Sequence, residues 1–222
     1  MKPTITKSYL YEHVARIGKA ISSPKRLELI ELLAQGEKTV ETLAEQARID
    51  MRLASAHLRA LREARLVETR REGKFIHYRL SGPDVAQLWV NVREVAEEHL
   101  VELRVALEQM ASEPDSLCSE SRKSLLQKAK QGDVIVIDVR PPAEYEAGHL
   151  PFARSMPLGE LEKRLADLPA DCTIVAYCRG PFCLMSDEAV KLLREHGYRA
   201  RKTSDGVAEW QAAGLPLATE ND

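Results

Sequence analysis

The chain has 222 residues, 44% of them hydrophobic and 30% charged, with a net charge of −2, 11 glycines, 11 prolines and 4 cysteines. That is enough for one large domain or two of about a hundred residues each. The composition excludes extended disorder, and four cysteines without a C-x-x-C pair exclude the disulfide framework of a small secreted domain. The start of the chain has no apolar core of signal-peptide length, and no run approaches a membrane span, so a cytoplasmic protein without membrane contact is expected.

In chain order, Leu10, Val14, Ile17 and Ile21 recur at helical spacing. Ser23-Pro24 then opens a second helix, with Leu27, Ile30 and Leu33 as its apolar stripe up to Gly36. Val40, Leu43 and Ala44 form a third short helix, and a turn containing Ile49 leads to Asp50, the cap of a helix that buries Ala54, Leu58 and Leu61. Two short helices around a tight turn, the second rich in arginine, make a helix-turn-helix pattern. Val67 to Arg71 and Lys74 to Leu80 flank Glu72-Gly73 as a β-hairpin, which after a recognition helix is a wing. Asp84 to Met110 reads as one long helix with more apolar surface than a small domain needs, so part of it is expected to pair with a second copy. Between Arg48 and Arg79, nine Lys or Arg stand against four acids, the local excess expected of a nucleic-acid contact surface.

This half, over roughly residues 8–110, resembles the ArsR family of dimeric winged helix-turn-helix repressors. The resemblance rests on Ser23 to Leu27, on Ser55 to Val67, and on Arg71 to Lys74 followed by Tyr78-Arg79-Leu80. It implies a double-stranded DNA operator as partner and a homodimer formed through the first and last helices of the domain. Turning Ala54, Leu58 and Leu61 inward turns Arg52, Ser55 and Arg59 outward, where they reach bases or phosphates, while Arg70, Arg71 and Lys74 add phosphate or minor-groove contacts from the wing. His57 falls nearer the buried side and reads equally as a packing residue. Many relatives sense metals. Here the stretch matching the family's thiol site, Lys38 to Thr42, has no cysteine, and Asp84, His99 and Glu102 keep only part of the other common site. No metal or cofactor is expected, and the input signal should enter elsewhere.

Ala111 to Ser121 is polar and contains Pro114, which places a linker at 113–121 between a DNA-binding and dimerisation domain at 1–112 and a second domain at 122–222. From Val134 onward strand-like and helix-like runs alternate. Thr173 to Tyr177 reads as a buried strand and Leu184 to His196 as a packed helix. Between them lies Cys178-Arg179-Gly180-Pro181-Phe182-Cys183. Backbone N–H groups in such a strand-to-helix loop, with the positive end of a helix behind them, can surround one anionic sulfur and lower a thiol pKa. Cys178 is therefore a candidate nucleophile, and Cys183 is either its resolving thiol or a small buried support.

The second half resembles rhodanese, the sulfurtransferase domain. The matching pieces are Val136 to Arg140, Glu144-Tyr145, Gly148 to Pro151, the Cys178 loop, Asp205-Gly206, Trp210 and Gly214 to Pro216. The resemblance implies a doubly wound α/β domain with a parallel sheet, the reactive cysteine at a strand's C-terminal end, and Asp138 and Arg140 as supports of the site. A six-residue loop holds a sulfur atom, whereas related phosphatases and arsenate reductases use Cys-x5-Arg, and Leu184 stands where that arginine would be. A sulfur donor and a thiol acceptor are then the small-molecule partners, with Cys178 carrying a persulfide. Arg179 either attracts an anionic donor or is merely solvated.

The fold expected is therefore a mainly helical winged helix-turn-helix domain followed by an α/β rhodanese-like domain. Three functions fit it. One is a transcriptional regulator, a repressor, whose second domain accepts sulfane sulfur or oxidant at Cys178. Another is a working thiosulfate or persulfide sulfurtransferase tethered to DNA. The third is a repressor whose second domain is a docking module without catalysis.

Overall fold

The structure is a computed structural model describing residues 5–110 and 116–219, and it divides into two compact units, Met1–Trp89 and Val90–Asp222. Positions 113–115 of the expected linker lie outside the described residues.

The first unit contains α1 (Lys7–Ile21), α2 (Pro24–Ala34), β1 (Lys38–Thr39), α3 (Val40–Gln46), α4 (Met51–Glu63), β2 (Val67–Glu72) and β3 (Phe75–Leu80). Leu29, Ile30, Leu33, Leu43, Leu58 and Leu61 are buried in its core, which is what the spacing of apolar residues on three helices requires. Asp50 caps α4, accepting from the backbone N–H groups of Arg52 (2.9 Å) and Leu53 (3.0 Å), so the helix begins where its sequence says it should. β2 and β3 form an antiparallel hairpin whose turn is made by Gly73 at φ 59°. β1, a two-residue strand not anticipated from the sequence, pairs with β3 through Lys38 opposite Tyr78 and gives the sheet the order β1-β3-β2. Two residues carry no periodicity, so nothing in the pattern could mark it.

The long helix expected from Asp84 to Met110 is two helices, α5 (Pro83–His99) and α6 (Val101–Met110), interrupted at Leu100. Val85, Ala86 and Trp89 of α5 are buried, and the division between the two units falls within this helix, after Trp89. The apolar stripe continues across the interruption, which is why the sequence reads as one helix.

The rest of the second unit is α7 (Arg122–Gln131), β4 (Val134–Asp138), α8 (Pro142–Ala147), β5 (Arg154–Ser155), α9 (Leu158–Leu161), a 3-10 turn (Glu162–Asp167), β6 (Thr173–Tyr177), α10 (Met185–Glu195), β7 (Ala200–Lys202) and α11 (Val207–Ala212). The four strands are parallel in the order β5-β4-β6-β7. Residues of β4 and β6 alternate between two apolar layers. Ile137, Ile174, Ala176 and Cys178 pack with Leu161, Val190 and Leu193, whereas Val134, Val136, Val175 and Tyr177 pack with Leu125, Val207 and Trp210. Strands covered on both faces must be apolar at nearly every position, as VIVID and TIVAY are. Ser116 is buried, and Cys118 donates its backbone N–H to the Lys202 carbonyl (2.7 Å), so the described end of the expected linker is tied to the edge of the sheet. Among the described residues no helix is long and apolar enough to cross a membrane.

Candidate functional site

In the first unit, Arg52, Ala56 and Arg59 are exposed on one side of α4 while Ala54, Leu58 and Leu61 are buried on the other. Ser55 is half-buried, and its hydroxyl donates to the Met51 carbonyl (2.7 Å), back along its own helix. His57 is also half-buried; burial, with Arg26 nearby, lowers its pKa. The wing arginines are more committed than the sequence implied. Arg70 forks onto Glu37 (2.6 Å) and reaches Glu72 (2.9 Å), Arg71 donates to the Gly73 carbonyl (3.1 Å), and Lys74 lies 5.2 Å above the Phe75 ring. Arg52 and Arg59 thus form the open cationic face, and Arg70 offers a charge already offset by two carboxylates.

In the second unit, chain order and strand order place Asp138 and Cys178 side by side. β4 and β6 are neighbours whose preceding and following connections leave in opposite directions, and Asp138 is paired with Tyr177 at their C-terminal ends. A crevice at such a switch point is where open α/β sheets hold ligands. Because side chains alternate along β6, Tyr177 turns toward α11 and Cys178 toward α10.

Cys178 is 2% exposed, its Sγ 3.3 Å from Ser186 Oγ, 3.3 Å from the Cys183 carbonyl oxygen and 3.9 Å from that of Gly180. Its pKa falls to about 6, because the Cys183 thiol donates a hydrogen bond to the thiolate and the Ser186 hydroxyl and the Ser186 and Gly180 backbone add to it, against burial that pushes the other way. The same donation, with burial, drives the Cys183 thiol far up, so Cys183 stays protonated while Cys178 ionises. The two thiols therefore differ: Cys178 is the one favoured as a thiolate, and Cys183 is the hydrogen-bond donor beside it.

The remaining predicted residues form the frame of this loop. Arg140 and Asp138 are fully buried and forked together at 2.6–3.1 Å; Arg140 also donates to the Gly148 carbonyl (2.8 Å), and Tyr177 donates its hydroxyl to Asp138 (2.5 Å). Burial first, then the Asp138 charge, raises the Tyr177 pKa, which keeps the phenol a donor. Arg179 is neither solvated nor turned to the thiol: it forks onto buried Glu144 at 2.7 and 2.9 Å. Gly180 takes φ 139°, a conformation that favours glycine, and Pro181, Phe182 and Cys183 complete the turn, with Cys183 N–H donating to the Gly180 carbonyl (3.1 Å).

Sequence reasoning missed Ser186 and Glu209. Ser186 sits in the first turn of α10, three residues beyond Cys183, and a hydroxyl there is the one signal that pointed to it. Glu209 lies on α11, far along the chain, and only the close approach of Gly206 to the loop brings it near.

Comparison with known proteins matches residues 121–213 to the rhodanese-like domain and residues 23–69 to the bacterial regulatory protein, arsR family. An HTH-type transcriptional regulator of Mycobacterium tuberculosis is 44% identical over 95% of this chain and 92% of its own length. A sulfurtransferase of Allochromatium vinosum is 34% identical over 43% of this chain and 89% of its own. A solution structure of a homodimeric winged helix-turn-helix DNA-binding domain from Mycobacterium bovis is 44% identical, covers 46% of this chain and 94% of that one, and has a TM-score of 0.42.

Proposed function

The chain belongs to the ArsR family of bacterial regulatory proteins, a helix-turn-helix transcriptional regulator that carries a rhodanese-like domain, and from that premise we propose that Cys178 is its sulfur-accepting input. The observation that carries this reading is a buried thiol at the end of β6, its Sγ 3.3 Å from Ser186 Oγ and 3.3 Å from the Cys183 carbonyl oxygen, with a second thiol in the same loop whose hydrogen bond lowers its pKa.

The Cys178 thiolate attacks the outer sulfur of thiosulfate, or of a polysulfide. The donor's S–S bond breaks, sulfite or the shortened polysulfide leaves with the electron pair, and Cys178–S–S⁻ remains. Cys183 sulfur then attacks Cys178 Sγ. The bond to the outer sulfur breaks, and that sulfur leaves as hydrosulfide with the proton from Cys183. Two thiols are oxidised to a disulfide and one sulfane sulfur is reduced to sulfide, so no outside oxidant is consumed. Either product changes the volume and charge held inside the loop, which is the event a two-state regulator reads.

Arg52, Ser55 and Arg59 on α4, with Arg70, Arg71 and Lys74 on the wing, form the DNA-contacting set in this reading. The exposed apolar residues Tyr9, Leu10 and Val14 on α1 and Val101 and Val105 on α6 support a homodimer through these helices. A turnover sulfurtransferase is the second reading, favoured by the likeness of the second unit to a curated sulfurtransferase.

Intact-mass analysis after thiosulfate or polysulfide treatment tests the proposal. One added sulfur, or loss of two hydrogens with Cys178 and Cys183 bridged, is expected in the wild type and absent in Cys178→Ser. An unmodified Cys178 after such treatment overturns it.

A further inference from the structure

Behind the Cys178 loop stands a buried carboxylate that the chemistry above does not use. Glu209, in the first turn of α11, is 2% exposed; it accepts the Gly206 backbone N–H at 2.8 Å and pairs with Arg93, itself 4% exposed, on α5. Both residues belong to the unit Val90–Asp222.

The contact with the loop has no slack. A Cβ built on Gly180 would lie 3.1 and 3.2 Å from the two Glu209 carboxylate oxygens. One built on Gly206 would lie 2.6 Å from the Arg179 backbone carbon and 2.7 Å from the Cys178 carbonyl oxygen. The loop backbone from Cys178 to Gly180 thus rests on Gly206 and on the Glu209 carboxylate, both held from behind by hydrogen bond and ion pair. Adding a sulfur inside the loop, or drawing Cys178 toward Cys183, must push on or release these two supports, because close-packed interiors shift between arrangements and do not absorb volume. A carboxylate left unpaired behind the loop would also oppose a thiolate within it, so Arg93 neutralises as well as anchors.

We propose that Glu209 is the positioning residue of the Cys178 loop and that its ion pair with Arg93 makes α5 the element on which a change in that loop acts. Along α5 (Pro83–His99), Arg93 lies one turn beyond the buried Trp89, the nearest tryptophan to it in the chain. The second clause rests on the sensing role proposed for Cys178; the first does not.

The test reads the pH midpoint of Cys178 alkylation in the full-length protein. The other charged groups beside the loop, Arg179 with Glu144, Lys202 with Asp187 and Arg122 with Asp205, stay as they are. Arg93→Met, which strands the carboxylate, should raise the midpoint by about half a unit or more; Glu209→Gln, which strands the guanidinium, should lower it; the double variant and Arg93→Lys should return it close to wild type. A structural loosening would move all variants in one direction, and that result, or no movement at all, overturns the positioning role. The tie to α5 is read from fluorescence. The chain has two tryptophans, so in Trp210→Phe the signal comes from Trp89. Polysulfide should change that signal, and Arg93→Met should abolish the change. An unchanged signal from a protein whose mass shows the modified Cys178 overturns the tie, whereas failure of Cys178 to be modified defeats the sensing role and leaves the midpoint result standing.

Discussion

The arginines of α4 and those around Cys178 are the same residue used for opposite purposes. Arg52 and Arg59 stand exposed on α4. Arg93, Arg140 and Arg179 are each forked or paired with a carboxylate that is 2% exposed or less. An exposed guanidinium keeps its charge for a partner that arrives from solution and is weakened by salt. A buried one is spent on holding backbone in place, and it costs stability when its partner is lost. The difference teaches where each region is sensitive: the helix face to ionic strength and partner, the loop to single-atom changes in its supports.

Replacing Asp138 with Ala presses this contrast hardest. It leaves Arg140 charged at 0% exposure and should destabilise the second unit by about 3–5 kcal/mol, measured by denaturant unfolding. Gly206→Ala comes next. Its methyl overlaps the Arg179 and Cys178 backbone, and a displacement of about an ångström at a reacting group lowers rates by about 100-fold, read as the rate at which polysulfide modifies Cys178 in the mass assay. The pH profile follows in size. A lowered pKa means that the thiolate is present above about 6 and is lost as pH falls through that value, so alkylation of Cys178 should rise with a midpoint near it. Cys183→Ala removes the first donor and should move the midpoint up toward the ordinary thiol value of about 8.5, while Cys183→Ser keeps a donor and holds it lower. The smallest effects belong to α4. Arg52→Ala and Arg59→Ala should each reduce the salt slope of DNA binding by about 1 and change folding stability by no more than about 0.5 kcal/mol. Arg70→Ala should reduce that slope less, since Glu37 and Glu72 already offset its charge.

Much of this was legible from residue order. Apolar spacing gave α2 and α4, the hairpin turn gave β2 and β3, and the continuous apolar runs gave β4 and β6, because in each case the signal is local and periodic. The place of Cys178 at a strand-to-helix turn was legible for the same reason: strand, loop and helix follow one another within about twenty residues. What escaped was produced by contacts distant in sequence. Arg179 turns to Glu144, thirty-five residues earlier, and Glu209 meets Arg93 across 116 positions, and neither spacing has a period to read. β1 escaped for another reason: two residues are too few to show alternation. The interruption at Leu100 left no mark because the apolar stripe runs through it.

In the function proposed above, chemistry at Cys178 governs DNA binding. Its most direct test measures the affinity of the full-length protein for a duplex selected in vitro from random sequence, before and after polysulfide, in the wild type and in Cys178→Ser. A changed affinity in the wild type, reversed by a reducing thiol, and an unchanged affinity in the variant are expected. The same affinity before and after treatment in a wild type shown to carry the modification, or an equal response in Cys178→Ser, would contradict it.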